Sequence, residues 1–432
     1  MNGRSGVITL FLVTPLLGCT KNLDHQQDTS TPVANAAESL QVSVNDWPWW
    51  RGPRRDGKSA AQHVPQVWSE TKNVAWKTPV PGRGHSTPSI WGDRVFLTTA
   101  DEEKETQSLL CFARSSGKPL WQKVLHQNNF DKKHNKNSYA SPTVACDGKR
   151  VYTSFINDAA LQATATDLDG KILWKARVGD FDSEHGYASS PILYGPVVIL
   201  LADSLNGSFV TAINRRDGKA VWTTPRADGP VHANYSSPIV GDVAGRPQLL
   251  VAGSTRVDSY DPQTGKQLWF VTDVAQVVAN TMTFEGDFAY ASGGYPEKFI
   301  LGIRADGEGD VTDTHVVWQE TKSITYVPSP IAHEGRLYLV NDQGIGTCLD
   351  SKTGDLIWRE RIGGNFTASP VLINDYLYCS DESGKTTILK TGDKFEVVTS
   401  NSLDNGIFAT PVICGGQIFV RTHDHLYCIA ES

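Results

Sequence analysis

Short apolar runs of 4 to 6 residues alternate with two-residue polar turns along most of this chain, and no long stretch repeats its apolar positions every 3.6 residues. Arg94-Val-Phe-Leu-Thr-Thr, Arg150-Val-Tyr-Thr-Ser, Arg336-Leu-Tyr-Leu-Val and Tyr376-Leu-Tyr-Cys-Ser are such runs, set off by Gly-Asp, Gly-Lys, Glu-Gly or Asn-Asp turns. The pattern predicts antiparallel strands joined by hairpins.

The runs fall into repeating units. A turn, two residues and a tryptophan recur as Gly117-Lys-Pro-Leu-Trp121, Gly170-Lys-Ile-Leu-Trp174, Gly218-Lys-Ala-Val-Trp222, Gly265-Lys-Gln-Leu-Trp269 and Gly354-Asp-Leu-Ile-Trp358. A second marker keeps step: Thr87-Pro88, Ser141-Pro142, Ser190-Pro191, Ser237-Pro238, Ser329-Pro330, Ser369-Pro370 and Thr410-Pro411, with Thr281-Met282 in the remaining phase. A third run ends near an acidic or amide residue eight before the tryptophan, as at Asn214, Asp261 and Asp350. Four strands per unit and eight units predict an all-β, eight-bladed β-propeller of four-stranded antiparallel blades over residues 71–432.

The last unit stops after three strands, Pro411-Val-Ile-Cys, Gln417-Ile-Phe-Val-Arg and His425-Leu-Tyr-Cys-Ile. Asn73-Val-Ala-Trp76-Lys is the expected fourth strand, so the N-terminal strand closes the ring and no sticky edge remains. The tryptophans at 121, 174, 222, 269, 318 and 358 share one phase, which suits packing between blades better than stacking on a ligand.

Ahead of the ring, Arg4, an apolar stretch from Val7 to Leu17 and Leu16-Leu17-Gly18-Cys19 read as an export signal, too short to span a bilayer. Leu-Leu-Gly-Cys resembles the lipobox of bacterial lipoproteins, which implies a signal peptide over 1–18, acylation of Cys19 and a firm membrane anchor. Thr20, not an aspartate, fits an outer-membrane destination facing the periplasm. Polar residues over 19–45 then read as a flexible tether, with the propeller occupying 46–432.

The balance of 40 basic and 47 acidic residues, with no basic block, argues against nucleic acid as a partner. Arg51-Gly-Pro-Arg-Arg55 is a local exception and reads as a solvated loop. Cys111, Cys348 and Cys428 fall at one phase of their blades, so the cysteines read as buried strand residues, with a Cys414–Cys428 bridge left open. Gly384-Lys385-Thr386 is a blade turn, and Asp306, Glu308, Asp310 and Asp313 form a solvated hairpin insertion without the glycine and glutamate of a calcium loop.

One constellation stands apart. Before each Ser-Pro marker the chain crosses from the rim of one blade to the inner strand of the next, and these crossings gather around the axial opening. They carry His85; Asn137 and Tyr139; His185 and Tyr187; His232, Asn234 and Tyr235; Asn280; Tyr326; Asn365 and Phe366; and Asn405 and Phe408. Imidazoles, amides and aromatics converging on a concavity suit a polar or aromatic ligand; the structural reading is that they pack and satisfy loop backbone. Spacing assembles no nucleophile, base and orienting group from them.

The units resemble the pyrroloquinoline-quinone-like repeat, which ends in Ala-x-Asp-x-x-Thr-Gly-x-x-x-Trp; compare Tyr260-Asp261-Pro-Gln-Thr264-Gly265-Lys-Gln-Leu-Trp269 and Leu349-Asp350-Ser-Lys-Thr353-Gly354-Asp-Leu-Ile-Trp358. Trp47-Pro-Trp-Trp-Arg51-Gly52-Pro53 also looks like the start of envelope propellers of this superfamily. The resemblance covers quinone-dependent alcohol dehydrogenases and non-enzymatic outer-membrane assembly lipoproteins of the BamB type. The dehydrogenases use the quinone, calcium, a catalytic aspartate and often an adjacent cysteine pair. This chain has no such pair, and its crossing loops carry carboxylates only at the rim, at Asp180, Asp182, Glu184 and Asp404. The expectation is a monomeric, non-catalytic envelope scaffold without a cofactor or metal, whose partners are envelope proteins including the outer-membrane β-barrel assembly machinery. A quinoprotein oxidoreductase with quinone and calcium, or a glycan- or small-ligand-binding sensor, is the alternative.

Overall fold

The computed structural model describes residues 40–61, 63–226, 233–322 and 324–431. The export signal, Cys19 and most of the expected tether lie outside them. Eight sheets form, one per blade: blades 1 to 7 span 89–127, 145–180, 192–226, 239–271, 283–320, 331–361 and 371–402, and blade 8 combines 412–429 with Val74–Pro79. Val74–Pro79 pairs antiparallel with His425–Ile429, Trp76 opposite Cys428, so a strand from the start of the propeller completes its last blade.

The repeated phrase is a turn with a defined geometry. Asp261 Oδ1 accepts the Gln263 and Thr264 N–H groups at 2.8 and 3.0 Å, and the Gly265 N–H donates to the Asp261 carbonyl at 2.8 Å. Gly265 then sits at φ +72°, a left-handed conformation that suits glycine. Asp350 and Gly354 repeat the arrangement, with Gly354 at φ +76°.

Each glycine of the phrase carries the tryptophan of the preceding blade on its face. A Cβ would come within 2.5 Å of Trp76 at Gly117, 2.9 Å of Trp121 at Gly170, 2.4 Å of Trp222 at Gly265 and 2.7 Å of Trp318 at Gly354. The indole N–H groups bond the same turns: Trp76 Nε1 to Arg114 O, Trp121 to Leu168 O and Trp318 to Ser351 O, at 2.9, 3.1 and 3.0 Å. These tryptophans are interblade packing, as their phase implies.

The insertion after blade 5's third strand becomes structure: Gly309–Asp310 pairs parallel with blade 4's outer strand Gln267–Val271, followed by a one-turn helix Thr312–His315. That added strand covers Trp269, which is fully buried. All six cysteines among the described residues are buried free thiols; Cys414 faces Gln417 and Cys428 faces Phe419 across the strands, and the two are not bridged.

Packing begins before residue 46, since Leu40 and Val42 are partly buried against the cluster of blades 2 and 3. The segment beyond it corrects the reading of Arg51–Arg55 as a solvated loop. It threads across the inner strands. Trp47 pairs with Ile90 of blade 1, the Cys146 N–H of blade 2 donates to Pro48 O, and Arg55 Nη2 donates to Leu193 O of blade 3 at 2.5 Å. Arg51 Nη2 donates to Pro330 O of blade 6 at 2.6 Å, Leu372 N of blade 7 to Gly57 O, and Ser59 Oγ to Ile413 O of blade 8 at 2.6 Å. Both guanidiniums are buried here without a carboxylate close enough to balance that burial, so desolvation pulls the pKa of each down to about 10. The Leu193 and Pro330 carbonyls at the inner edges of blades 3 and 6 accept these arginines.

Candidate functional site

Two residues before every inner strand stands a hydroxyl: Thr87, Thr143, Ser190, Ser237, Thr281, Ser329, Ser369 and Thr410. Six of these hydroxyls accept the N–H of the equivalent residue in the preceding blade. The Thr87 N–H donates to Thr143 Oγ1, Thr143 to Ser190 and Ser190 to Ser237, at 3.0, 3.0 and 2.9 Å. Thr281 donates to Ser329, Ser329 to Ser369 and Ser369 to Thr410, at 3.0, 2.9 and 3.0 Å. The second-blade member is therefore Thr143, two residues beyond the Ser141-Pro142 marker.

This hydroxyl girdle is the wall of an axial cavity of about 360 Å³. Trp50, from the threading segment, lines it and donates its indole N–H to Thr281 Oγ1 at 2.8 Å. His85, Asn137, His185, Tyr235, Tyr326 and Phe408 line it from the crossing loops, as expected. His85 stacks on Phe408 at 5.1 Å, and its Nε2 has no hydrogen-bond partner. Burial, reinforced by Arg83 and Arg421, holds its pKa well below the usual histidine range, so the ring is neutral. His134 and Lys136 join from the long blade 1–2 crossing. His134 meets the His185 ring edge-on at 5.3 Å, and Lys136 Nζ reaches both carboxylate oxygens of Glu382 in blade 7 at 3.1 Å. Sequence missed these two because nothing in that crossing's spacing shows how far it reaches across the axis.

The other expected residues go elsewhere. Tyr139 lies 4.1 Å from the Phe130 ring, and Tyr187 packs on Phe181 at 5.3 Å while its hydroxyl donates to Leu201 O at 3.1 Å; both face a second cavity off the axis. Asn234 is buried as a brace, accepting the Val278 N–H at 2.7 Å and donating to Ser254 Oγ at 3.0 Å. Asn280 is buried too and donates to the Thr325 and Tyr326 carbonyls at 3.3 and 3.2 Å. Asn365 is exposed outside the cavity, and Asn405 occupies a left-handed turn at φ +71°. Phe366 is buried in the blade 6–7 core. His232 lies outside the described residues.

The quinone of the dehydrogenases carries three carboxylates and is held with calcium, so its site needs acidic or amide metal ligands together with free cations. Among the described residues, the axial lining has no carboxylate, Lys136 is its one full cation, and that lysine is already paired with Glu382. These residues do not fit that cofactor.

Residues 105–358, 307–394 and 342–431 match the family described as outer membrane protein assembly factor BamB. A protein of that name from Yersinia pestis is 25% identical over 372 residues, 83% of this chain and 88% of its own. One from Moranella endobia is 24% identical over 348 residues, 77% and 82%. Among solved structures, BamB from Moraxella catarrhalis superposes with a TM-score of 0.58 at 13% identity, over 82% of this chain and 99% of that one. Quinohemoprotein alcohol dehydrogenase from Comamonas testosteroni superposes at 0.66 and 10% identity, over 92% and 83%; likeness at such identities speaks for the fold alone. By the extent of the family match, the chain belongs to the family of the outer membrane protein assembly factor BamB.

Proposed function

We propose that this protein is a lipid-anchored, periplasm-facing scaffold that binds envelope proteins in outer-membrane protein assembly, held to the membrane through Cys19. The observation that carries the reading is the family match, which runs through the blades from residue 105 to residue 431. The closed ring supports it: a propeller whose last blade is completed by Val74–Pro79 presents loops on fixed strands, as a docking platform requires. The test is affinity capture of the tagged full chain from its own envelope. Enrichment of the β-barrel assembly machinery is the expected result, and its absence under conditions that recover other envelope complexes would sink the reading. Labelling with radioactive palmitate, lost in Cys19→Ser, tests the anchor.

A second reading concerns the axial cavity. Thr87 Oγ1 and His85 Nε2 are both buried there without partners, beside Trp50, Tyr235, Tyr326 and Phe408. Neutral hydrogen-bonding groups among aromatic faces suit a hydroxylated ligand such as a small glycan. Titration with a panel of neutral saccharides is expected to show binding that Thr87→Val weakens. Binding unaffected by that change would place the glycan elsewhere.

A further inference from the structure

The second cavity, about 290 Å³, lies where the crossings into blades 2 and 3 meet the third strand of blade 1. Five aromatic rings line it, among them two contacting pairs, Phe130 with Tyr139 and Phe181 with Tyr187, with Phe155 the fifth. Two acceptor oxygens on residues that line it are buried and have no partner. One is Gln107 Oε1, on a residue only 1% exposed. Its orientation is settled by its own amide, since Gln107 Nε2 donates to both the Tyr139 and Ile156 carbonyls, at 2.9 and 3.1 Å, which leaves the oxygen as the free end. The other is Asp131 Oδ2. Asp182 also lines the cavity.

We infer that this cavity is a binding site for an organic cation, a guanidinium or alkylammonium group that donates to Gln107 Oε1 and Asp131 Oδ2 and lies among the aromatic rings. The chemistry is set by what is unsatisfied. Both orphan groups accept only, so their complement is a donor without lone pairs to clash, and a desolvated carboxylate favours one with positive charge. Aromatic faces attract the same charge. Two lysines among the described residues line the cavity: Lys132 is exposed, and Lys133 Nζ pairs with Glu102 at 3.3 Å and sits 4.8 Å over the Tyr139 ring. That contact shows the Tyr139 face already accepting an ammonium on one side. The volume suits one arginine or lysine side chain, from a bound polypeptide or from a free polyamine. This inference stands apart from the scaffold reading, because a cation can occupy the box whichever partner the propeller serves.

The test uses the full chain and three probes in calorimetric titrations: Nα-acetyl-argininamide, its neutral isostere Nα-acetyl-citrullinamide, and spermidine. Argininamide or spermidine is expected to bind at least tenfold more tightly than citrullinamide, the better of the two identifying the source. Asp131→Asn is expected to weaken that binding about tenfold while leaving the melting temperature unchanged or higher, since an amide oxygen can keep the bond accepted from the Ala159 backbone while the desolvated charge is removed. Tyr139→Leu should weaken the same cation. Equal binding of argininamide and citrullinamide, no saturable binding of any probe, or cation binding that Asp131→Asn leaves intact would each overturn the inference and leave the cavity to water.

Discussion

Trp174 of blade 2 lies flat against Gly218 of blade 3: a Cβ on Gly218 would come within 2.7 Å of the indole, whose Nε1 donates to Arg215 O at 3.0 Å. Gly218 is itself the start of the phrase whose tryptophan, Trp222, covers Gly265 of blade 4. One five-residue phrase thus serves two interfaces, its glycine facing backward and its tryptophan forward.

Substituting either member of a pair should therefore loosen a seam. Gly218→Ala forces a side chain into a left-handed turn at φ +72° and into the indole, and is expected to cost about 2–4 kcal/mol. Trp318→Ala, which empties a buried site and orphans Ser351 O, is expected to cost about 3–5 kcal/mol. Urea unfolding of each variant checks both. A loss under 1 kcal/mol would show that the seams do not carry the ring.

Truncation before residue 78 removes most of the strand that pairs with His425–Ile429 and exposes that edge. The truncated chain is expected to aggregate or to lose cooperative unfolding, measured by light scattering and circular dichroism, because an open apolar strand edge recruits other chains. A soluble, cooperatively folded monomer would contradict the closure.

Acid should destabilise the ring through its buried histidines. Desolvation, with Lys175 nearby, lowers His126 to about 4, and His85 shifts the same way. Between about pH 6.5 and pH 4 the unfolded chain binds the proton that the folded chain refuses, so stability present above pH 6.5 is lost as pH falls, by at most about 1.4 kcal/mol per pH unit for each group. His126→Gln should flatten the dependence of the unfolding midpoint on pH, and an unchanged slope would remove His126 from the account.

Burial pushes the thiols of Cys111, Cys348, Cys379, Cys414 and Cys428 up to about 12, and that of Cys146 higher still. Without thiolate they are poor nucleophiles. None of the six should react with Ellman's reagent in the native protein, and all should react in denaturant. Rapid native reaction at any one would mean that its blade opens.

The blade count, the closing strand and the tryptophan seams were legible in the residues because each rests on local chemistry repeated in register. Asp-x-x-Thr-Gly makes its own turn, and the tryptophan four residues past the glycine falls at one phase of the fourth strand in each blade that carries the phrase. The crossing residues shared no such rule. His85, His185 and Tyr235 meet at the axis, whereas Tyr139 and Tyr187, two residues from Asn137 and His185 respectively, turn into another cavity. Arg51 and Arg55 misled for the same reason: their charge marks an exposed loop when only neighbours in sequence are known, and their partners, Pro330 and Leu193, lie 279 and 138 residues away. Local sequence determined the strands and turns because hydrogen bonding within blades 1 to 7 joins strands close in sequence, and the ring because the last unit lacks a fourth strand that Val74–Pro79 matches. Which polar side chains converge, and which arginines are buried, only the tertiary structure decided, because both depend on carbonyls and rings brought together by closing the circle.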